Sequence, residues 1–301
     1  MAEQVLIRPK PAIASRFWTG SLRFMKKRPL GAFGAASLVA LVLVAIFADV
    51  VAPYSPIEQY SVKYQALPPG SEGPESRFWF GTDKYSRDLF SRVVYGSRIS
   101  LYVGLMSVAL ATVIGTLIGV YSAYAGGKID LILQRVVDVK IGFPSLIFTI
   151  LIVAMLGQSL NNVIFAIAFS SWARFSRIAR SQALSVREMD YVVAAKALGA
   201  SGTRQLMQHV LPNSLTPVII LATGLLGTAI VTEASLSFLG LGVPPPHPAW
   251  GRQLNEAQKA SMELTPWLSI FPGLALTFAV YGFNMFGDAL RDHFDPRLRG
   301  A

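Results

Sequence analysis

One charged side chain, Glu233, stands in the long apolar stretch between Asn213 and Gly251. An unpaired acid at a helix centre costs about 2.5 to 3.5 kcal/mol on insertion scales, so such a residue faces protein or water. It has two possible uses: a buried hydrogen-bonding group that holds the Gly240/Gly242 end of the segment, or a polar station on a solute path. Ser235 and Ser237 lie beside it and Asn284 lies in a second charge-free run, so these four are candidates for a pathway or its outer gate. Other chemistry is thinly supplied. The chain has no cysteine, which excludes disulfides, thiolate zinc sites, Cys-ligated iron–sulfur clusters and cysteine nucleophiles. His209, His247 and His293 are too scattered for an imidazole metal site, and no metal is expected. No Gly-x-x-x-x-Gly-Lys-Ser/Thr, His-Glu-x-x-His or Gly-x-Ser-x-Gly motif occurs. No catalytic residue is therefore assigned, and the chain does not cradle ATP phosphates by itself in the usual way.

The elements that must position these residues are apolar. A composition of 52% hydrophobic and 15% charged residues does not suit a soluble surface, and it predicts an all-α membrane protein. A bilayer core of about 30 Å takes about 20 residues at 1.5 Å each. Runs of that scale cover 29–52, with Asp49 near the far end as a boundary charge, then 99–125, 213–251 and 264–287. Ile141 to Ala173 adds 33 uncharged residues interrupted by Gly157-Gln158-Ser159-Leu160-Asn161-Asn162, which reads as two helices and a tight turn. Six transmembrane helices result. The first has a longer core than a cleaved signal peptide and a poor cleavage site at Ala52-Pro53-Tyr54, so it reads as a retained anchor.

Of 27 Lys and Arg residues, 19 fall in 1–29, 125–140, 174–213 and the tail after 290. The positive-inside rule then places both termini in the cytoplasm, and the net charge of +10 becomes an orientation signal with no nucleic-acid partner implied. The expected layout is a cytoplasmic segment 1–28, a six-span domain 29–301, an external loop 53–97 and a cytoplasmic loop 180–212. Arg174, Arg177 and Arg180, at steps of three, read as a snorkelling edge on membrane lipid headgroups. Gly115 and Gly119 provide a close-packing helix face, within the chain or at a seam with another subunit. Pro144 kinks or starts a helix, and Pro272 kinks one.

The 180–212 loop has helix punctuation. Ser185-Val186-Arg187-Glu188 fits a capping box. Ala194, Ala195, Ala197 and Leu198 are strong helix formers, and Gly199 stops the helix. Ser201 caps a second helix running to about Gln208, which Leu211-Pro212 ends. The product is a helical hairpin with a small-residue apex. It either lies on the headgroups by an apolar face or forms a rigid knob that fits a groove on another protein.

Val193-Ala194-Ala195, Gly199 and Leu211-Pro212 resemble, in spacing, the EAA loop of permease subunits in binding-protein-dependent ABC importers. Val193 stands in place of the Glu and His209 in place of an Ile, both familiar departures in the dipeptide/oligopeptide/nickel class. Phe80-Gly81-Thr82-Asp83 with Arg87-Asp88, Ser91-Arg92, Gly96 and Arg98 is similar to the segment ahead of span two in the C-type permease of that class, with Ser86 where Gly is common. Glu233 to Gly242, then Pro245, Pro248, Trp250 and Gly251, form the most specific block, and Phe271-Pro272-Gly273 to Asp295-Pro296-Arg297 close it. The resemblance covers about residues 20 to 299.

The resemblance implies a type I ABC importer permease fold in a bacterial or archaeal cytoplasmic membrane. The 185–212 segment would be the lever that docks on an ATPase, through Tyr191, Ala194, Ala195, Lys196, Leu198, Gly199, Ala200, Arg204, Leu211 and Pro212. It implies partners: a homologous second permease, two ATP-binding subunits or domains that carry ATP and Mg, and an extracytoplasmic solute-binding protein. No cofactor is implied on this chain. Peptides or a related polar solute are the implied cargo, since members move dipeptides, oligopeptides, glutathione, nickel complexes or oligosaccharides. An autonomous ion-coupled secondary carrier is the alternative, but it needs paired intramembrane ionisable residues where this chain offers Glu233 almost alone. A membrane scaffold without transport is the third reading. Copurification separates the three: an importer brings two ATPases and a second permease, whereas a carrier transports alone in liposomes.

Overall fold

Two helices approach so closely that only glycine fits between them, and the remaining spans pack around that pair. In the computed structural model, which describes residues 29–259 and 264–294, the long helix α3 (Leu89–Ala125) runs against α6 (Leu160–Arg187). A Cβ at Gly115 would collide with the Trp172 carbonyl and Phe175 Cβ, and one at Gly119 with the Ser176 carbonyl and Ala179 Cβ. The small-residue face found in the sequence is therefore used within the chain. The segment expected at 1–28 and Asp295-Pro296-Arg297 lie outside the described residues.

The chain enters through α1 (Pro29–Ile46), which a proline begins without losing a needed amide. A short α2 (Ala48–Val51) follows. The loop ahead of α3 carries one 3-10 turn, Val62–Tyr64, and a two-residue antiparallel ladder, β1 (Ser71–Glu72) with β2 (Arg77–Phe78). Tyr54 holds it: its hydroxyl accepts from the Ser76 amide at 2.6 Å, and its ring lies 5.0 Å from that of the fully buried Phe78. Asp88 starts α3 by accepting from the Ser91 amide and hydroxyl at 2.8 and 2.6 Å. With 37 residues, α3 is about 55 Å long, well beyond the roughly 30 Å hydrocarbon core.

The connection expected at 125–140 is instead a helix, α4 (Gly127–Gly142), which meets α5 (Ser145–Leu156) at 95°. Pro144 cannot donate an amide and drives Phe143 out of the helical region, to φ −84°, ψ 133°. A span beginning at Ile141 is thus corrected to a broken pair, because the 12 residues of α5 cover only about 18 Å. The turn after α5 is as expected: Gly157 takes φ +84° and Ser159 caps α6 at the Asn162 amide.

The chain returns through α7 (Asp190–Ala197), α8 (Gly202–Arg204), a π-helical turn Gln205–Val210 and α9 (Leu211–Phe238). It ends with α10 (Trp250–Gln258) and α11 (Trp267–Phe294). By length and composition four described helices can cross a membrane, α1, α3, α9 with its preceding turns, and α11; the bent α4–α5 pair makes five. The remaining expected span, the fourth in chain order, maps to α6, which at 28 residues is long enough but carries Arg174, Arg177, Arg180 and Arg187 in its second half. Glycines also seat α11: Gly34 of α1 lies under Met285 and Phe286, and Gly287 faces Gly224 of α9.

The arginine row is corrected in part. Arg177 pairs with Asp138 and Arg180 with Asp130, both at 2.5 Å, so two of the three guanidinium groups clamp α6 to α4. Arg174 reaches only the Ser145 hydroxyl at 3.5 Å. Lys140, almost fully buried at the α4–α5 elbow, donates to the Ser170 carbonyl.

Replacing Gly119 with Val is expected to destabilise the purified protein by about 1–3 kcal/mol, seen as a lower thermal unfolding temperature. Gly142→Val, with nothing within 4 Å of the new Cβ, serves as the control. Equal melting of the two variants would contradict the packing described.

Candidate functional site

At one end of the bundle the chain between α6 and α9 folds into a small, firmly tied projection. The proposed capping box at Ser185 does not form, because α6 continues through Arg187, and Met189 is the N-cap of the next helix. Continuation is favoured by Val186, which is buried in the main apolar cluster. Within α7, Val192 is 2% exposed and joins that cluster, whereas Leu198 just beyond the helix is 89% exposed. The helix closes in a Schellman motif: Gly199, at φ +84°, donates its amide to the Lys196 carbonyl, and the Ala200 amide reaches the Ala195 carbonyl, both at 3.0 Å. A β-carbon is disfavoured at that φ, which is why the stop is a glycine.

Two ties hold the projection to α3. Arg187 donates to the Ala123 carbonyl at 2.9 Å, and Gly202 leaves room for the Tyr124 ring and hydroxyl. Ser201 caps the following turn as expected, at the Arg204 amide. Leu211-Pro212 does not end that helix; it continues into α9 through the π-helical turn. The wider turn relieves the clash that Pro212 would otherwise make with the carbonyl four residues earlier.

The structure therefore gathers Tyr191, Ala194, Ala195, Lys196, Leu198, Gly199 and Ala200 at one apex, and leaves Arg204, Leu211 and Pro212 on the next helix. Tyr191 stacks edge-on against His209 at 6.3 Å.

The four pathway candidates are not gathered. Glu233 is fully buried, accepts from Ser237 at 2.7 Å and from Ser100 at 3.2 Å, and so joins α9 to α3. Ser237 in turn occupies the space that a side chain at Gly242 would need, which matches the reading of Glu233 as a group holding that end of the segment. Ser235 bonds back to the Val231 carbonyl. Asn284 packs over Gly227, more than a turn of α9 away from Glu233.

At the far end of the bundle from α7, charges that sequence reasoning missed as a unit form a buried network. Arg87 bonds Asp83 and Glu256, each at 2.6 Å; Arg92 lies 3.2 Å from Glu256 and 3.5 Å from Asp83. Arg92 is 1% exposed. The network joins the loop ahead of α3 to α10, and Trp250 and Gln253 of α10 reinforce it by donating to the Val93 and Arg92 carbonyls at 2.9 Å. Its signal in the sequence was a set of charges spaced 83, 87 and 92 ahead of an apolar run, which alone does not reveal the acid 164 residues later. Asp49, expected as a boundary charge, pairs with Arg98 at 2.9 Å and remains largely exposed.

Three clefts adjoin these features. One of about 810 Å³ lies between α6, α9 and α11 toward the α7 end, with Gln182, Asn213, Thr216, Asp288 and Arg291 among its walls. A cleft of about 720 Å³, walled by Val42, Leu105 and Phe283, is almost wholly apolar. A third, of about 340 Å³, sits beside the charge network with Arg252 in its wall. Burial lowers the Arg252 guanidinium from its ordinary range, and Glu256 opposes that shift.

A helical bundle with four or five helices long and apolar enough to cross a membrane, buried charges at one end and an exposed apolar projection at the other has the frame of a membrane protein. Residues 115–300 match the binding-protein-dependent transport system inner membrane component family, and 16–69 match the N-terminal TM domain of oligopeptide transport permease C. The chain belongs to the first of these families, as a permease subunit of an ABC importer of the peptide class. It is 40% identical over 284 residues to a dipeptide transport system permease protein, DppC, of Alkalihalophilus pseudofirmus, covering 94% of this chain and 90% of that one. It is 38% identical over 291 residues to a glutathione transport system permease protein, GsiD, of Escherichia coli, covering 97% and 94%. A solved amino acid ABC transporter chain aligns with a TM-score of 0.42 at 20% identity, over 63% of this chain and 90% of that one. The protein is a non-catalytic inner-membrane component that works with ATPase and binding-protein subunits. Nothing among these relatives points to an ion-coupled carrier.

Glu256→Ala strips Arg92 of its nearest carboxylate and is expected to cost about 3 kcal/mol of stability. Asp49→Ala, at an exposed pair, should change the unfolding transition little. Matching losses for the two would contradict the burial of the network.

Proposed function

We propose that this chain forms half of the translocation pathway of a peptide importer and couples it to ATP through the 185–212 segment. A homologous permease supplies the other half. Two ATP-binding subunits or domains carry ATP and Mg on the cytoplasmic side, and an extracytoplasmic binding protein delivers the solute. Residues 29–301 form the permease domain, with both termini in the cytoplasm and 53–97 outside; the clustering of Lys and Arg supports this orientation.

One observation carries the coupling role. Val192 is locked into the core while Leu198 and Gly199, a few residues on, present an uncovered apolar corner that cannot bend away. Such a corner transmits displacement to α3, through Arg187 and Gly202, and to α9, through the unbroken turn at 205–210. ATP can shift the equilibrium between inward- and outward-open states only through contacts that differ between them. Tyr191, Ala194, Ala195, Lys196, Leu198, Gly199 and Ala200 make those contacts, with Arg204, Leu211 and Pro212 passing the movement on. The 810 Å³ cleft, whose walls include Asn213, Asp288 and Arg291, is part of the inner wall of the path. Of the four pathway candidates Ser235 and Asn284 are left to line its outer half, while Glu233 and Ser237, buried between α9, α3 and Gly242, hold that wall together. The relatives named for dipeptide and glutathione transport support a short peptide as the solute.

Gly199→Trp is expected to lower ATP-driven uptake by about tenfold or more, equivalent to at least about 1.4 kcal/mol of coupling, while insertion is retained. Normal uptake by the reconstituted variant complex would refute the lever. In intact cells, Leu198→Cys should react only with reagents that enter the cytoplasm and Gln59→Cys with impermeant ones; the reverse pattern would invert the orientation.

A further inference from the structure

The 340 Å³ cleft is walled from three separate segments: Lys84 and Arg87 come from the stretch ahead of α3, Ser237 and Gly240 from the end of α9, and Arg252 and Glu256 from α10. Its size falls within the range of small-ligand pockets, about 300–1,000 Å³. Its charge is unbalanced. Arg87 and Glu256 neutralise each other within the buried network, but among the described residues neither Lys84 nor Arg252 is in an ion pair. Lys84 rests over the Tyr85 ring at 4.9 Å, and Arg252 spends one terminal nitrogen on the Val243 carbonyl at 2.5 Å. The Arg252 Nε is buried and has no hydrogen-bond partner among the described residues. Lys84 and Arg252 both wall the cleft, and a half-buried guanidinium that spends only one terminal nitrogen within the described residues is a group that a carboxylate completes with charge-assisted hydrogen bonds.

We infer that this cleft is a receiving subsite for the free α-carboxylate of a short peptide, held by Arg252 and Lys84 as the solute enters the permease. The inference rests on the importer reading and adds to it the part of the solute that this chain recognises. The concavity favours a small molecule over a protein surface, and all of its walls but the last turn of α9 come from extramembrane segments, so the occupant arrives from water. The wall residues Ser237 and Gly240 close α9, the helix whose other end borders the 810 Å³ cleft. A carboxylate at Arg252 would therefore sit at the outer end of the same helix.

The absence of native cysteine allows a direct test. Gln59, exposed on the rim of the cleft, is changed to Cys in the assembled, detergent-purified importer, and the rate of maleimide labelling of this chain is followed. Alanyl-alanine at millimolar concentration should slow labelling about fivefold, alanyl-alanine amide should not, and Arg252→Gln should remove the protection. Lys84→Gln should weaken it and serves if the Arg252 variant does not fold. Equal labelling with the acid and the amide would overturn the inference. So would protection by solute-free binding protein alone, lost in Arg252→Gln, because the cleft would then be a protein-docking contact. Uptake driven by ATP in the wild-type complex is scored separately: if it persists while labelling ignores the carboxylate, the subsite fails and the importer reading stands.

Discussion

The contact of α3 with α6 across Gly115 and Gly119 fixes what the rest of the molecule can do. Backbones that close leave no space for either helix to slide or rotate without steric collision, so the pair behaves as one strut. It is a long strut. The first turns of α3 carry Arg92 into the buried charge network, and its last residues, Ala123 and Tyr124, hold Arg187 and Gly202 of the projection at the opposite end. A force applied at α7 thus reaches the far face through packed backbone, with little flexible loop between.

Lipid explains where the polar groups went. With no water in the hydrocarbon region, ionised side chains must collect at the ends of spans or find partners inside. Both solutions are present. Asp83, Arg87, Arg92 and Glu256 gather at the end of α3 that lies outside the apolar run, and Asp130, Asp138, Arg177 and Arg180 clamp the opposite end. Glu233, fully buried, is met by two serine hydroxyls from different helices. These buried sets contribute more to specifying which helices meet than to net stability, since desolvation offsets much of their attraction.

Where the sequence reading departed from the structure, the cause was tertiary in each case. Ser185 satisfied the local grammar of a helix start, yet Val186 found an apolar environment and α6 ran on. Leu211-Pro212 satisfied the grammar of a stop, yet one π-helical turn absorbed the proline. The arginines at 174, 177 and 180 have the spacing of a lipid-facing edge, but α4 happens to present Asp130 and Asp138 to two of them. The segment at 125–140 was read as a connection because its charges hide an amphipathic helix.

Residue order alone determined the membrane character, the apolar runs, the break at Gly157, the stop at Gly199 and the family. Each of these follows from local hydropathy, backbone preference or motif spacing, quantities that do not depend on distant neighbours. Only the tertiary structure decided that Glu233 is capped from α3, that Arg87 and Arg92 meet Glu256, and that the Arg252 Nε has no hydrogen-bond partner among the described residues. Those facts rest on pairs separated by up to 169 residues, such as Arg87 with Glu256. A linear pattern contains both members of such a pair but not the distance between them, because packing of the whole bundle sets that distance.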